Sequence, residues 1–581
     1  MRSFFKNIFS TIIGMFTSLI LFSLLVLGLI AVFSSNDEIK IKKNSILELN
    51  LSEVKVVERV SNNPIKELVL NSDIKKTIAL LDVLNSIERA KKDKNIKAIY
   101  INTSNVNAGI SQIEEIRNKL LEFKKTKKQI IAYSENYSQS AYYLASVADK
   151  VYLNPAGMME LKGLSITQMF YKGLLEKLDI DVQIIRHGEF KSAVEPFMLE
   201  KMSKENREQM SLLLNSVSNT ILESIGKERN ININDIKEHI NNISLENPNK
   251  CVELNYIDGL LYEDQVKNKL KSISKAKTLN IVSLVDYNKT KEKETEKSKK
   301  QIAIIYANGS ISSGEGDENN IGSITTAKAI EKARKDKNIK AIVLRVNSGG
   351  GSALASDVIW RETYLTKKPL VVSMGDYAAS GGYYIACAAD KIIANTTTLT
   401  GSIGVFGMIP NMQEFYKNKL GITLDTVNTH KHADIGINRP LTRFEKEKIQ
   451  KMVHNTYETF ISKVSKGRGM SKQSVDKIGQ GRVWSGYDAK NIGLIDKHGG
   501  IEKAIKIAAN LAKIKSYNII SLPREKESLL VDIAKSLNAN TDIAALVLEK
   551  TGLQSDLINP INEVLKADKI QARIPYVIKL K

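Results

Sequence analysis

The stretch Ile330-Glu-Lys-Ala-Arg-Lys-Asp-Lys-Asn-Ile-Lys-Ala-Ile342 decides the fold, because the chain carries it twice: residues 87–99 read Ile-Glu-Arg-Ala-Lys-Lys-Asp-Lys-Asn-Ile-Lys-Ala-Ile. In each copy a charged amphipathic segment runs into a β-like one, the helix-to-strand half of a βαβ unit. The match continues outward. Tyr142-Tyr143-Leu-Ala-Ser-Val-Ala-Asp-Lys answers Tyr383-Tyr384-Ile-Ala-Cys-Ala-Ala-Asp-Lys, and Asn255-Tyr-Ile-Asp-Gly answers Gly493-Leu-Ile-Asp-Lys. Two homologous units follow, residues 45–285 and 301–515. In the second, the periodicity predicts a strand over 301–307, a helix over 327–335, and strands over 339–346 and 369–373. The fold class is therefore α/β: two tandem domains with mainly parallel sheets.

Residues 286–300, between the units, are almost wholly charged or polar and read as a solvated linker. Residues 516–581 form a tail without a repeat partner. It contains an amphipathic stretch, 528–537, and ends in the apolar Ala572-Arg-Ile-Pro-Tyr-Val-Ile, which could pack on the body or touch a membrane. At the other end Arg2 and Lys6 precede an uncharged run, Asn7 to Asn36. Its apolar core, Ile8 to Phe33, exceeds the ~20 residues that cross a bilayer as a helix. No clear small-x-small site follows, so residues 1–36 read as a retained single-pass anchor and not as a cleaved signal peptide. The charges before it keep the N-terminus cytoplasmic and put the body on the periplasmic, outer side of the cell (inner) membrane.

With 581 residues, 43% of them hydrophobic, the chain can bury several cores. The net charge of +21 is spread over many lysines. That suits attraction to anionic lipid headgroups better than nucleic-acid recognition, for which no motif is present. Cys251 and Cys387 lack metal-ligand spacing and are expected as free thiols.

The halves differ where chemistry would sit. Gly375-Asp-Tyr-Ala-Ala-Ser-Gly-Gly-Tyr-Tyr384 leaves the Ser380 hydroxyl uncovered among small residues, and the glycines after it admit a substrate backbone. Alignment through the tyrosine pairs puts Gln139 opposite Ser380. Alignment through the Lys-Ala-Ile strands puts Thr103–Ala108 opposite Val346–Gly351, so the first half lacks the Gly349-Gly350-Gly351 loop as well. Such a loop can turn amides outward as an anion nest and, with the amide after Ser380, make an oxyanion hole. A base is needed too. The six histidines, at 187, 239, 430, 432, 454 and 498, include no convincing triad partner, and His430 and His432, on a loop of the second half, stay open as candidates. Lys191, in Phe190-Lys-Ser-Ala-Val-Glu-Pro-Phe197 of the first half, lies among apolar residues. Desolvation there would lower its pKa from ~10.4 towards the ~7 to 8 of a working base. Glu195 could oppose this by holding the ammonium charged, and Ala433 stands at about the matching place in the second half.

These motifs, with Arg345-Val-Asn-Ser-x-Gly-Gly-Ser352, Leu399-Thr-Gly-Ser-Ile-Gly-Val405 and Gly481-Arg-Val-Trp-Ser-Gly486, resemble the signal peptide peptidase A (protease IV) family in its long, duplicated form. The resemblance implies a crotonase/Clp-like superhelix, a serine–lysine dyad without metal or cofactor, and hydrolysis of signal-peptide remnants and other apolar peptides at the membrane. It also implies a ring-like, tetramer-like homo-oligomer. It makes Ser380 the nucleophile, Lys191 the general base, Gly381 and Gly350 the oxyanion donors, and Ser402 the group that orients the lysine. Gly349 departs from the family, which typically has proline there. Two other readings are an acyl-CoA enzyme of crotonase type and a catalytically silent membrane scaffold.

Overall fold

The computed structural model describes residues 6–7, 9–18, 20–21, 39–60, 76–290, 298–317, 319–523 and 570–574. The expected anchor falls largely outside them; residues 9–18 are helical, and among the described residues no helix is long and apolar enough to cross a membrane. Residues 291–297 of the expected linker and the 528–537 stretch also lie outside the described residues, and the start of the linker forms the end of a helix, Leu284–Lys289.

Each repeat builds one sheet. The first is six-stranded and wholly parallel, with Ile96–Asn102 and Gln129–Ser134 at its centre. The second is eight-stranded and runs outward from Ile339–Ser348, which lies between Gln301–Asn308 and Leu370–Ala379. All its pairings are parallel except that of Leu399–Gly401 with Val483–Ser485. The repeated segment folds alike in both halves: helices Leu80–Lys92 and Ser323–Lys335 lead into the strands beginning at Ile96 and Ile339. In the second helix Thr326, Ala329, Ile330 and Ala333 are buried, the i, i+3, i+4, i+7 stripe of a helix lying on a sheet. Its basic last turn complements the helix dipole. The observed strands run longer than the sequence predicts, to Ser348 and Ala379, because they continue into the glycine loop and up to Ser380.

A third sheet was not legible in the repeat. It orders strands Asn320–Gly322, Ser310–Ser312, Gly350–Ser352, Ile570–Arg573, Val405–Asn411 and Asp181–His187. The first half contributes Asp181–His187, antiparallel to Val405–Asn411 of the second. The tail contributes Ile570–Arg573, so the described start of the apolar end, Ala572–Ile574, packs on the body, and the rest of that end lies outside the described residues.

Buried charge also ties the halves together. The Arg345 guanidinium is fully buried, 2.7 Å from Glu58 and 2.9 Å from Glu115, both from the first half, and it donates to Ser373 Oγ at 2.9 Å. Nearby Asp376 accepts from the Ser111 amide at 2.8 Å, and burial pushes its carboxyl up to about 7. Removing the cation strands two buried carboxylates. Arg345→Met is expected to destabilise the folded chain by about 3–5 kcal/mol, read as a lower urea midpoint; an unchanged midpoint would mean that the cluster does not join the halves.

Candidate active site

Ser380 ends the strand Leu370–Ala379 and caps the helix Gly381–Ala386. Its backbone is at φ 56° and ψ −115°, a conformation that favours glycine. Strain of this kind, on the order of 1–3 kcal/mol, persists only where the surroundings hold it. Here the Ser380 amide donates to Gly401 O at 2.8 Å and its carbonyl accepts from Tyr384 N at 2.9 Å. Ser380 is itself buried, not uncovered as its small neighbours suggest, and Tyr383 and Tyr384 sink into the core behind it.

Lys191 arrives from the other half. It stands just before a short 3-10 turn, Ser192–Val194, and is 1% exposed. Its Nζ lies 2.8 Å from Ser380 Oγ, 3.1 Å from Ser402 Oγ and 3.3 Å from Ser402 O. Burial holds its pKa well below the usual lysine range, and the positive charge of Arg573 adds to the depression. Glu195 does not oppose this, because its carboxylate is committed elsewhere. It accepts from Ser203 N at 3.2 Å, Ser203 Oγ at 2.5 Å and Asn206 Nδ2 at 2.8 Å, and lies 3.9 Å from Arg186.

Gly381 and Gly350 come together: a Cβ on Gly350, which has φ 102°, would lie 2.8 Å from the Gly381 amide nitrogen. As the first residue of its helix Gly381 has no intrahelical acceptor for its amide. The Gly350 amide, however, donates to Ser348 Oγ at 3.1 Å, so it would have to turn to or share with an oxyanion. His430 and His432 pair with Thr429 and Glu445 and not with Ser380. Opposite Ser380, Gln139 is buried and structural; its Oε1 accepts from Lys162 N and Gly163 N.

Sequence reasoning passed over the residues that cradle the lysine. Gly481, at φ 84°, lies against the Lys191 backbone, where a Cβ would come within 2.6 Å of Lys191 Cα, and a Cβ on Gly404 would meet Lys191 Cδ at 3.1 Å. The Ser402 amide is fixed by Arg482 O at 2.7 Å, and Phe190 N donates to Gln480 O at 2.9 Å. The signal was present: Gly481 and Gly404 both belong to the quoted motifs, but only the fold brings them to Lys191. Chemically the assembly offers a hydroxyl beside a buried amine whose pKa burial lowers, with backbone amides on the other side. That is the equipment of acyl transfer through an ester on serine.

Comparison with known proteins agrees with that chemistry. Residues 122–277 and 363–515, one region in each half, match Peptidase family S49. Protease 4 of Salmonella typhi is 35% identical over 515 residues, covering 86% of this chain and 83% of that protein. Protease 4 of Haemophilus influenzae is 36% identical over 523 residues, covering 87% and 84%. The chloroplastic serine protease SPPA of Arabidopsis thaliana is 33% identical over 523 residues, covering 88% and 76%. With a duplicated match and relatives aligned over most of their length, the chain belongs to peptidase family S49 and is a serine protease.

Proposed function

We propose that this protease is a membrane-anchored endopeptidase that hydrolyses cleaved signal peptides and other extended apolar peptides. Its two units, residues 45–285 and 301–515, are crotonase/Clp-like, the first supplying the base and the second the nucleophile. Neutral Lys191 takes the proton of Ser380, whose Oγ attacks the peptide carbonyl. Gly381 and Gly350 stabilise the oxyanion, one such donor being worth about 3–4 kcal/mol in the transition state. Lys191 then protonates the leaving amine and activates the water that clears the acyl-enzyme, while Ser402 keeps Nζ aimed. The observation that carries this reading is the 2.8 Å contact of a buried Lys191 with Ser380 within one chain.

The anchor, residues 1–36, would hold the body at the outer face of the cell membrane, where cleaved signal peptides accumulate. The body would act as a ring-like homo-oligomer. Within one chain Asp181–His187 pairs with Val405–Asn411, whereas the repeat-related segments, 421–428 and 161–170, are irregular. The first of these exposes Ile422, Leu424 and Val427. Membership in a peptidase family argues against the acyl-CoA and silent-scaffold readings. The direct test is hydrolysis of a denatured or apolar peptide by purified protein, expected in the wild type and lost in Ser380→Ala.

A further inference from the structure

Four of the six histidines give a ring nitrogen to an ordinary partner: His239 to Tyr256, His430 to Thr429, His432 to Glu445 and His498 to Gly486 O. The other two face each other across the halves. His187 ends the strand Asp181–His187 of the first half, and His454 lies on the helix Arg443–Arg468 of the second. Their Nδ1 atoms are 3.4 Å apart, and their ring centroids are 5.1 Å apart with the planes at 48°. That is a poor hydrogen bond: good N–H contacts run ~2.7–3.2 Å, and a straight one stretched to this length would hold the centroids about 5.7 Å apart. Two ligands on one tetrahedral ion fit better. With metal–nitrogen bonds of ~2.05 Å, two imidazole nitrogens stand about 3.3 Å apart and their ring centroids about 5.2 Å apart.

The surroundings suit an ion as well. The His187 ring packs 4.1 Å from the Tyr457 ring, and its backbone pairs opposite Val405, so one ligand is held in place. His454 is exposed, which gives an ion a way in. Glu458 stands one helical turn beyond His454 on the same face, and its charge and that of Asp476 reach His187. Asp476 is committed to Tyr457 and Gln480. Glu458 is paired only with Lys472, at 2.6 Å, in an exposed contact of the kind that is cheap to exchange. Among the described residues no three metal-ligating side chains are already gathered, so the histidines supply two ligands, and Glu458 and water complete the set. We propose that His187 and His454 form a site for one zinc-like divalent transition-metal ion, which clamps the strand leading to Lys191 onto the second half.

Imidazole ligands select Zn²⁺, Ni²⁺ and Cu²⁺, whereas Mg²⁺ and Ca²⁺ require oxygen. The two histidines are 267 residues apart in sequence and meet only when the halves dock. An ion held by both therefore favours the docked, folded chain by mass action. From His187 the chain runs through Gly188, packed against Gln480, to Phe190, whose amide donates to Gln480 O at 2.9 Å, and then to Lys191. The clamp thus secures the approach to the lysine, while the site itself lies apart from the Lys191–Ser380 contact. Its occupancy can be read without any measurement of peptide hydrolysis.

Calorimetric titration of the tag-free, metal-stripped full chain with Zn²⁺, together with thermal midpoints in Zn²⁺ and in Mg²⁺, tests this. The wild type is expected to take up one Zn²⁺ per chain and to melt at a higher temperature in Zn²⁺ but not in Mg²⁺. His454→Ala is expected to bind Zn²⁺ at least about tenfold more weakly and to lose the rise in midpoint. It should keep the metal-free midpoint, since the residue is exposed on a helix and alanine suits that position. Electron paramagnetic resonance with Cu²⁺ then counts the ligating nitrogens. Two imidazoles are expected in the wild type and fewer in His454→Ala and in His187→Asn. No uptake by the wild type, a spectrum with a single nitrogen, or unchanged affinity in His454→Ala would each overturn the site.

Discussion

Lys191→Met is expected to lower peptide hydrolysis by about 10³-fold and, at neutral pH, to raise the urea midpoint of the same protein. The two effects have one cause. A general base must be uncharged to accept a proton, and on the proposed mechanism Lys191 would meet that need through a burial that costs stability. The sign follows from proton counts. In the unfolded chain the amine keeps its proton up to ~10.4, whereas burial makes the folded amine lose it at lower pH. Between those values the unfolded state binds more protons, so this group's contribution to stability rises with pH and levels off near ~10.4. Below the folded pKa both states are protonated and the full penalty of the buried charge remains. Methionine, similar in length and never charged, removes both the penalty and the slope. Kinetics at neutral pH with denaturation midpoints from neutral to alkaline pH would check it; unchanged activity would return His430 and His432 to consideration as the base.

Ser380→Ala is expected to cost about 10⁶-fold in kcat, leaving only what oxyanion donors and binding supply. Because nucleophile and base act as a unit, Ser380→Ala combined with Lys191→Met should be no slower than Ser380→Ala alone. The variant should still fold, since the amide bond to Gly401 O and the turn into the helix use only backbone. Peptide-hydrolysis progress curves with all three variants decide it; residual activity near the wild-type level would remove Ser380 from the chemistry.

How much of this could be read beforehand divides by distance along the chain. The α/β class and the two central parallel sheets were legible because helix and strand periodicities are local and the repeat states them twice. Ser380 stood out through Gln139, its altered counterpart, and Lys191 through its apolar neighbours, and the fold brings the two side chains within 2.8 Å. Contacts between segments far apart were not. Arg345 reads as one charge in a strand, and only folding brings Glu58 and Glu115 to it. The committed partners of Glu195 lie beyond its own motif, at Ser203 and Asn206, so its indifference to Lys191 could not be foreseen. The placement of Ile570–Arg573 was open for the same reason: an apolar segment suits a membrane or a sheet equally, and these four residues pair with strands near 350 and 405.

The account turns on one claim, that neutral Lys191 activates Ser380 across the two halves of a single chain. Fluorophosphonate labelling followed by peptide mapping measures it most directly. The adduct is expected on Ser380, forming at a rate that rises with pH through a midpoint below the ordinary lysine range and collapses in Lys191→Met. An adduct on another residue, or labelling of Ser380 at the same rate in Lys191→Met, would contradict it.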